Sequence, residues 1–202
     1  MKNTKENILL TALRLFAKDG YEAVSVSQIS GELGMTKSAL YKHYKNKRDI
    51  FDSIVERMDQ LDYERAKRYK IPEGTVEEIV TEYKHMTIDK IKIYSEAQFK
   101  HWTEEEFSSL FRKMLTLEQY RSQEMSELYQ KYLVEGPVEY MKDLFYNMTG
   151  NSSEAEQFAL EFYGPIFLMY SLYDRGKNKD EILEMLRVHI ERFSKQIEGE
   201  GK

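Results

Sequence analysis

The chain has 202 residues and no cysteine, which excludes a disulfide framework and any thiolate metal site. Prolines number only three, at positions 72, 137 and 165, so little interrupts helical structure. No apolar run approaches the roughly 20 residues needed to span a bilayer. The opening MKNTKEN is polar, and the apolar residues after it follow helical spacing, unlike the core of a signal peptide. A cytoplasmic protein without a membrane partner is expected. β-Branched runs of period two are absent, which leaves an all-α fold. There is no glycine-rich phosphate loop, no nucleophile elbow and no His-x-x-x-His spacing. No enzymatic activity, cofactor or metal is therefore expected.

What is present is charge, 32% of residues, on a chain that is 41% hydrophobic. The formal net charge is −5, but it is unevenly spread. Residues 1–48 hold nine Lys or Arg against four Asp or Glu, and the remainder holds 21 against 31. A head of +5 on a body of −10 suits a polyanionic partner approached head-first.

The head contains the most informative stretch, SVSQISGELGMTKSALYKHYKNKRDIF, from Ser25 to Phe51. Ser25 with Gln28 forms a capping box, and Ile29 and Leu33 give the helix that follows one buried face. Gly34 stands where a left-handed C-terminal residue is wanted. Thr36 caps a second short helix carrying Lys37, Ser38, Tyr41, Lys42 and His43, with Ala39 and Leu40 facing inward. Asn46 caps a third helix from Lys47. A charge run alone is more often a solvated face. In this order of cap, glycine turn, cap and basic-aromatic helix, the run points to duplex DNA.

Residues 8–51 resemble the DNA-binding domain of the tetracycline-repressor (TetR) family of bacterial regulators. ILLTALRLFAKDGYEAVSV is similar to the family's first helix and turn, and SQISGELGMTKSALYKHYKNKRDIF to its helix-turn-helix and the start of its fourth helix. Ser30, Leu33, Met35 and Tyr44 depart from the commonest core residues by tolerable amounts, and Ser38 stands where glycine is frequent. The resemblance implies phosphate contacts from Ser25, Tyr41, His43 and Lys47. It implies base-edge contacts from Thr36, Lys37, Ser38 and Lys42. Lysine donors suit guanine O6 and N7, tyrosine hydroxyl suits a phosphate oxygen, and a helix N-terminus at Lys47 favours an anion.

The expected architecture is an N-terminal three-helix DNA-binding domain, residues 1–48. A larger helical ligand-binding and dimerisation domain follows, residues 49–202. A long helix over about 47–70 joins them, and the chain has about nine helices. Further starts are read at Thr75 with Glu78, Thr103 with Glu106, Ser153 with Glu156 and Asn178 with Glu181. A long helix is expected over about 117–134, broken or bent at Gly136-Pro137. Gly164-Pro165 should bend the apolar helix that contains it, unless it accommodates packing.

The last two helices carry Phe162, Ile166, Met169, Tyr170 and Tyr173, then Leu186, His189, Ile190 and Phe193. Paired with a second copy they would form a four-helix bundle, as the resemblance also implies. The alternative makes both helices the core of a single chain. The middle region is dense in Tyr83, Met86, Phe99, Trp102, Phe107, Phe111, Met114, Tyr120, Met125 and Tyr129. Such residues line a cavity for a mostly apolar molecule, or are simply core. Together these features describe a homodimeric repressor of a palindromic operator, released by a small-molecule effector. A DNA-binding activator, or a nucleoid or partner-controlled factor with no inducer, is the alternative.

Overall fold

Capping residues and apolar periodicity place the helices. The computed structural model describes residues 4–69, 88–176 and 178–200. Ten helices and no strand lie among the described residues: α1 Thr4–Asp19, α2 Val26–Glu32, α3 Lys37–Tyr41, α4 Lys47–Tyr69, α5 Ile88–Glu104, α6 Glu106–Glu118, α7 Gln123–Leu133, α8 Glu135–Thr149, α9 Ser152–Arg175 and α10 Lys179–Glu200. The chain is all-α, as its sequence predicts.

Two compact units result. The first takes Met1–Arg65 and Glu106–Tyr129. Its α1 buries Ile8, Leu9, Ala12, Leu13 and Phe16. It packs along α6, whose Phe111, Met114 and Leu115 are fully covered. Each such side chain contributes about 1.5–3 kcal/mol of hydrophobic stabilisation. Arg14 closes on Glu106 at 2.6 Å. The buried Glu118 carboxylate accepts from the Tyr21 backbone N–H at 3.1 Å. Helix α6 thus anchors both α1 and the turn that follows it, which is why residues 106–129 cluster with the head. The sequence-based boundary at residue 48 does not anticipate this.

The second unit takes Ala66–Glu105 and Gln130–Lys202. In it α9 packs on α8 and α10, and α5 lies against α9 and α10. Phe145, Phe162 and Phe193 form an aromatic core, with ring centroids 4.9–5.9 Å apart. Phe158 meets Phe145 and Phe193 at the same core. Tyr163 donates to the Leu133 carbonyl at 2.7 Å.

Several helix boundaries differ from the sequence reading. Thr103 does not cap a helix; its hydroxyl bonds back to the Phe99 carbonyl at 2.7 Å, inside α5. The expected helix over 117–134 is divided. Helix α6 continues to Glu118, and α7 begins at Gln123 with Ser122 accepting from the Met125 N–H at 3.2 Å. Asn151, not Ser153, caps α9, accepting from the Ser153 and Glu154 N–H groups. Asn178 caps α10 through the Glu181 N–H, as predicted. Helix α9 runs through Pro165 without interruption. Gly164 faces open space, so no close packing requires it. The expected break at Pro72 and Gly74, and the helix start at Thr75, lie outside the described residues.

Candidate nucleic-acid interface

Local chemistry builds the head in the order its sequence suggests. Ser25 Oγ accepts from the Gln28 N–H, and Gln28 Oε1 accepts from the Ser25 N–H at 2.8 Å, which completes the capping box. Ile29 is buried beneath this helix. Gly34 takes the left-handed conformation, φ +62°, and turns the chain. Thr36 caps α3 by accepting from the Ala39 N–H at 3.2 Å. Leu40 is wholly buried and pins α3 to the first unit.

One inward anchor leaves the opposite face outward. Thr36, Lys37, Ser38, Tyr41 and Lys42 are all exposed, with Tyr41 49% accessible. They supply a hydroxyl pair, two ammonium groups and a phenol on a single short helix and its caps. That set offers hydrogen bonds to base edges and phosphates without first having to be uncovered. Ser25 is exposed at the start of α2, and His43 is half-buried just past α3. Tyr44 has the opposite role. It is buried, donates to the Lys5 carbonyl, and burial with nearby Glu6 and Asp49 pushes its phenol up to about 12.

Lys47, which the resemblance assigns to a phosphate, is also engaged within the head. Its ammonium donates to the Tyr21 carbonyl at 2.9 Å and lies over the Tyr21 ring at 4.2 Å. The stem of a lysine at a helix start reaches the preceding turn as easily as solvent, and here the turn holds it. Arg48, beside it, is bidentate to Glu124 and also bonds Asp52 at 2.7 Å. That pairing holds the Glu124 carboxyl below its ordinary range, chiefly through the Arg48 hydrogen bond. Glu118 and Glu124 therefore position the head from more than 75 residues downstream. Nothing local in the sequence marks them, since their partners lie far away along the chain.

The residues expected to line one ligand pocket are divided. Phe99 and Trp102 belong to the second unit; Phe111, Met114, Tyr120, Met125 and Tyr129 belong to the first. Tyr120 is 91% exposed, in the turn after α6, where it covers nothing. Phe107 is half-buried, and Phe111, Met114, Met125 and Tyr129 are buried residues of their unit. Phe99 stacks on Tyr170 at 5.3 Å, and Trp102 meets Tyr132 edge-on at 6.4 Å. Tyr83 and Met86 lie outside the described residues. An open hollow at the α9–α10 turn, lined by Leu172, Arg175 and Ile182 among others, uses none of them.

The residues expected at a dimer interface are interior. Phe162, Ile166, Met169, Tyr170, Tyr173, Leu186, Ile190 and Phe193 are all buried within the chain itself. His189 bonds the Phe162 carbonyl at 2.8 Å. The physical reason is that α9 and α10 pack on each other, and α5 and α8 cover the stripe with the largest rings. The same two helices leave other apolar side chains outside: Leu160, Leu168 and Leu172 on α9, Met185 and Val188 on α10. Because α9 is apolar nearly all round, helical spacing alone does not single out the outer stripe.

Residues 8–54 match the family model for bacterial regulatory proteins of the tetR family. The HTH-type transcriptional regulator YerO of Bacillus subtilis is 41% identical over 56 residues, 28% of this chain and 19% of that protein. The likeness in sequence thus spans about a fifth of that relative. The whole chain is similar in fold to the fatty acid degradation regulator FadR of Bacillus halodurans. The two share 16% identity and a TM-score of 0.63, with 96% of each chain covered. It is similar also to SmeT in its complex with triclosan, at 15% identity and a TM-score of 0.62, covering 95% of this chain and 90% of that one.

Proposed function

By its residues 8–54 the chain belongs to the tetR family of bacterial regulatory proteins, and we propose from that premise that it is a homodimeric repressor of a palindromic operator, released by a small-molecule effector. The observation that carries the DNA-binding part is the outward face of α3. Lys37, Ser38, Tyr41 and Lys42 stand in solvent while Leu40 fastens the helix from behind. Thr36, Lys37, Ser38 and Lys42 read base edges. Ser25, Tyr41 and His43 hold phosphates. Lys47 acts chiefly by fixing the Tyr21 turn, with its remaining donor directed to the backbone of the duplex.

One such helix reads only a few base pairs. Two related by a twofold axis read half-sites about 34–36 Å apart or a multiple of it. The second copy covers the outer stripe of Leu160, Gly164, Leu168 and Leu172 on α9 with Met185 and Val188 on α10. Gly164 leaves open space there, which permits close approach between helices. Repression ends when an effector bound in the second unit favours a conformation that moves α4. This helix begins in the head and ends among residues of the second unit. A hundredfold release requires about 2.7 kcal/mol of preference between the two states. SmeT, of similar fold, is complexed with triclosan, which supports a small-molecule effector here.

Selection of operators from random duplex DNA, followed by fluorescence anisotropy across a salt series, tests this reading. The expected outcome is a palindromic consensus. Lys37→Ala and Lys42→Ala should each relax preference at one position per half-site, by about 1–3 kcal/mol of discrimination. Absence of binding to any duplex at low ionic strength would refute it.

A further inference from the structure

The first turn of α4 carries two cations that the fold keeps occupied. Five residues separate α3 from α4, so this turn lies one short connection from the outward face of α3. Within the connection Lys42 and Lys45 are exposed, and among the described residues neither joins an ion pair. Lys47 and Arg48, next along, both do. Lys47 meets Glu22 at 3.8 Å, and Arg48 meets Asp52 and Glu124. Arg48 directs Nε at Asp52, and both Nη1 and Nη2 at the two oxygens of Glu124. A guanidinium fork grips a carboxylate and a phosphate in the same bidentate way. Glu124 thus holds Arg48 as a phosphate would.

Burial separates the roles of the two downstream carboxylates that reach the head. Glu118 is 1% exposed, accepts from the Tyr21 N–H and pairs with Arg121 at 3.1 Å. Removing its partners would strand a buried charge, so Glu118 stays where it is. Glu124 and Arg48 have side chains 45% and 53% exposed. A pair that open to solvent contributes little, because water competes for both partners. A duplex phosphate is a stronger competitor than water, since its neutralisation also releases condensed counterions. The other carboxylates nearby have work that need not change. Asp49 accepts from the Lys45 N–H at 2.8 Å. Asp52, one turn along α4, keeps Nε of Arg48, whose guanidinium also lies over the Phe51 ring at 5.4 Å. The fork can therefore change partner while the arginine stem keeps its place.

We propose that Arg48 is a further phosphate-binding residue, held by Glu124 in the free protein and passed to the DNA backbone when the duplex is bound. The proposal rests on the reading of α3 as a DNA-binding face and goes beyond it. An acidic residue of the same compact unit, 76 positions downstream, competes with DNA for a cation of the head. Phosphates carry no base identity, so the exchange sets the strength of binding and not its sequence preference.

Fluorescence anisotropy with the intact protein tests this, using the selected operator and a scrambled duplex of equal length across a potassium chloride series. Glu124→Gln should tighten binding to both duplexes alike, by about two- to fivefold, the worth of one solvated ion pair. A gain in affinity cannot arise from a damaged fold. Arg48→Met should lower the salt slope by about one unit on both duplexes. Arg48→Lys should restore the slope, because an ammonium still neutralises a phosphate. In the Arg48→Met background the gain from Glu124→Gln should be lost. Weaker binding by Glu124→Gln would show that Glu124 only braces the head. An equal gain in both backgrounds would show plain repulsion between Glu124 and DNA. An unchanged slope in Arg48→Met would show that Arg48 meets no phosphate. Any of these three overturns the exchange while DNA binding stands. A parent protein that binds neither duplex at low salt defeats the DNA-binding reading itself, and the exchange with it.

Discussion

Gly20 and Gly34 both adopt positive φ, +88° and +62°, yet they should respond differently to a methyl group. At Gly34 an added Cβ meets nothing within 4 Å. Gly34→Ala therefore carries only the left-handed backbone penalty, about 1–2 kcal/mol. At Gly20 the same Cβ would lie 2.6 Å from Glu118 Oε1 and 2.7 Å from Arg121 Nη1. That carboxylate is buried and holds the Tyr21 N–H, so displacing it removes a charge-assisted hydrogen bond as well, about 1.5–3 kcal/mol more. Urea unfolding should rank Gly20→Ala clearly below Gly34→Ala in stability; equal losses would show that Glu118 does not brace the turn. Lys47 illustrates the same scale. Its type and position at a helix start are legible in the sequence, but whether its ammonium faces a phosphate or the Tyr21 carbonyl depends on a turn 26 residues earlier.

Among the elements, α5 and α10 are joined by ion pairs whose strength depends on pH. Arg187, and after it Lys100, hold the Glu96 carboxyl down from its ordinary 4.5 to about 2. A carboxyl depressed in the folded state stabilises above its unfolded value and loses that contribution as pH falls through its folded one. The window is therefore from about 4.5 down to about 2. Glu96→Gln should lower stability by about 1 kcal/mol at pH 7, a modest figure because the pair is partly solvated. The difference from the parent should close as pH approaches 2.5, within the window just given. Parallel denaturant titrations at the two pH values measure it, and an undiminished difference in acid would show that Glu96 acts through shape alone. At this scale the capping box at Ser25, the cap at Thr36 and the glycine turn of the head are readable because each spans only three or four residues. The split of 117–134 into two helices is not, since the residues across the turn are themselves good helix formers.

At the scale of the whole molecule, the proposed dimer requires a surface that the chain itself leaves open. Leu168 is 61% exposed on α9, whereas Phe162 on the same helix is 1% exposed. Leu168→Glu should leave the monomer folded, with unchanged helicity, and shift it from dimer to monomer in sedimentation velocity, weakening operator binding with it. Phe162→Ala should instead cost about 3–5 kcal/mol of folding stability. If Leu168→Glu sediments as the parent does, the outer stripe is not the interface. No helix among the described residues is long and apolar enough to cross a membrane.

The helical class, the order of the head's three helices and the set of polar and basic side chains on α3 follow from sequence alone. Caps, glycine conformation and a buried Leu40 beside exposed lysines are local properties, decided within a turn or two. The tertiary structure decided the rest: the return of residues 106–129 to the head, the inward rotation of the rings on α9 and α10, and the exposure of Tyr120. Each of these depends on partners distant in the chain. A helix that is apolar on every side can bury any of its stripes, and only the neighbour it meets determines which.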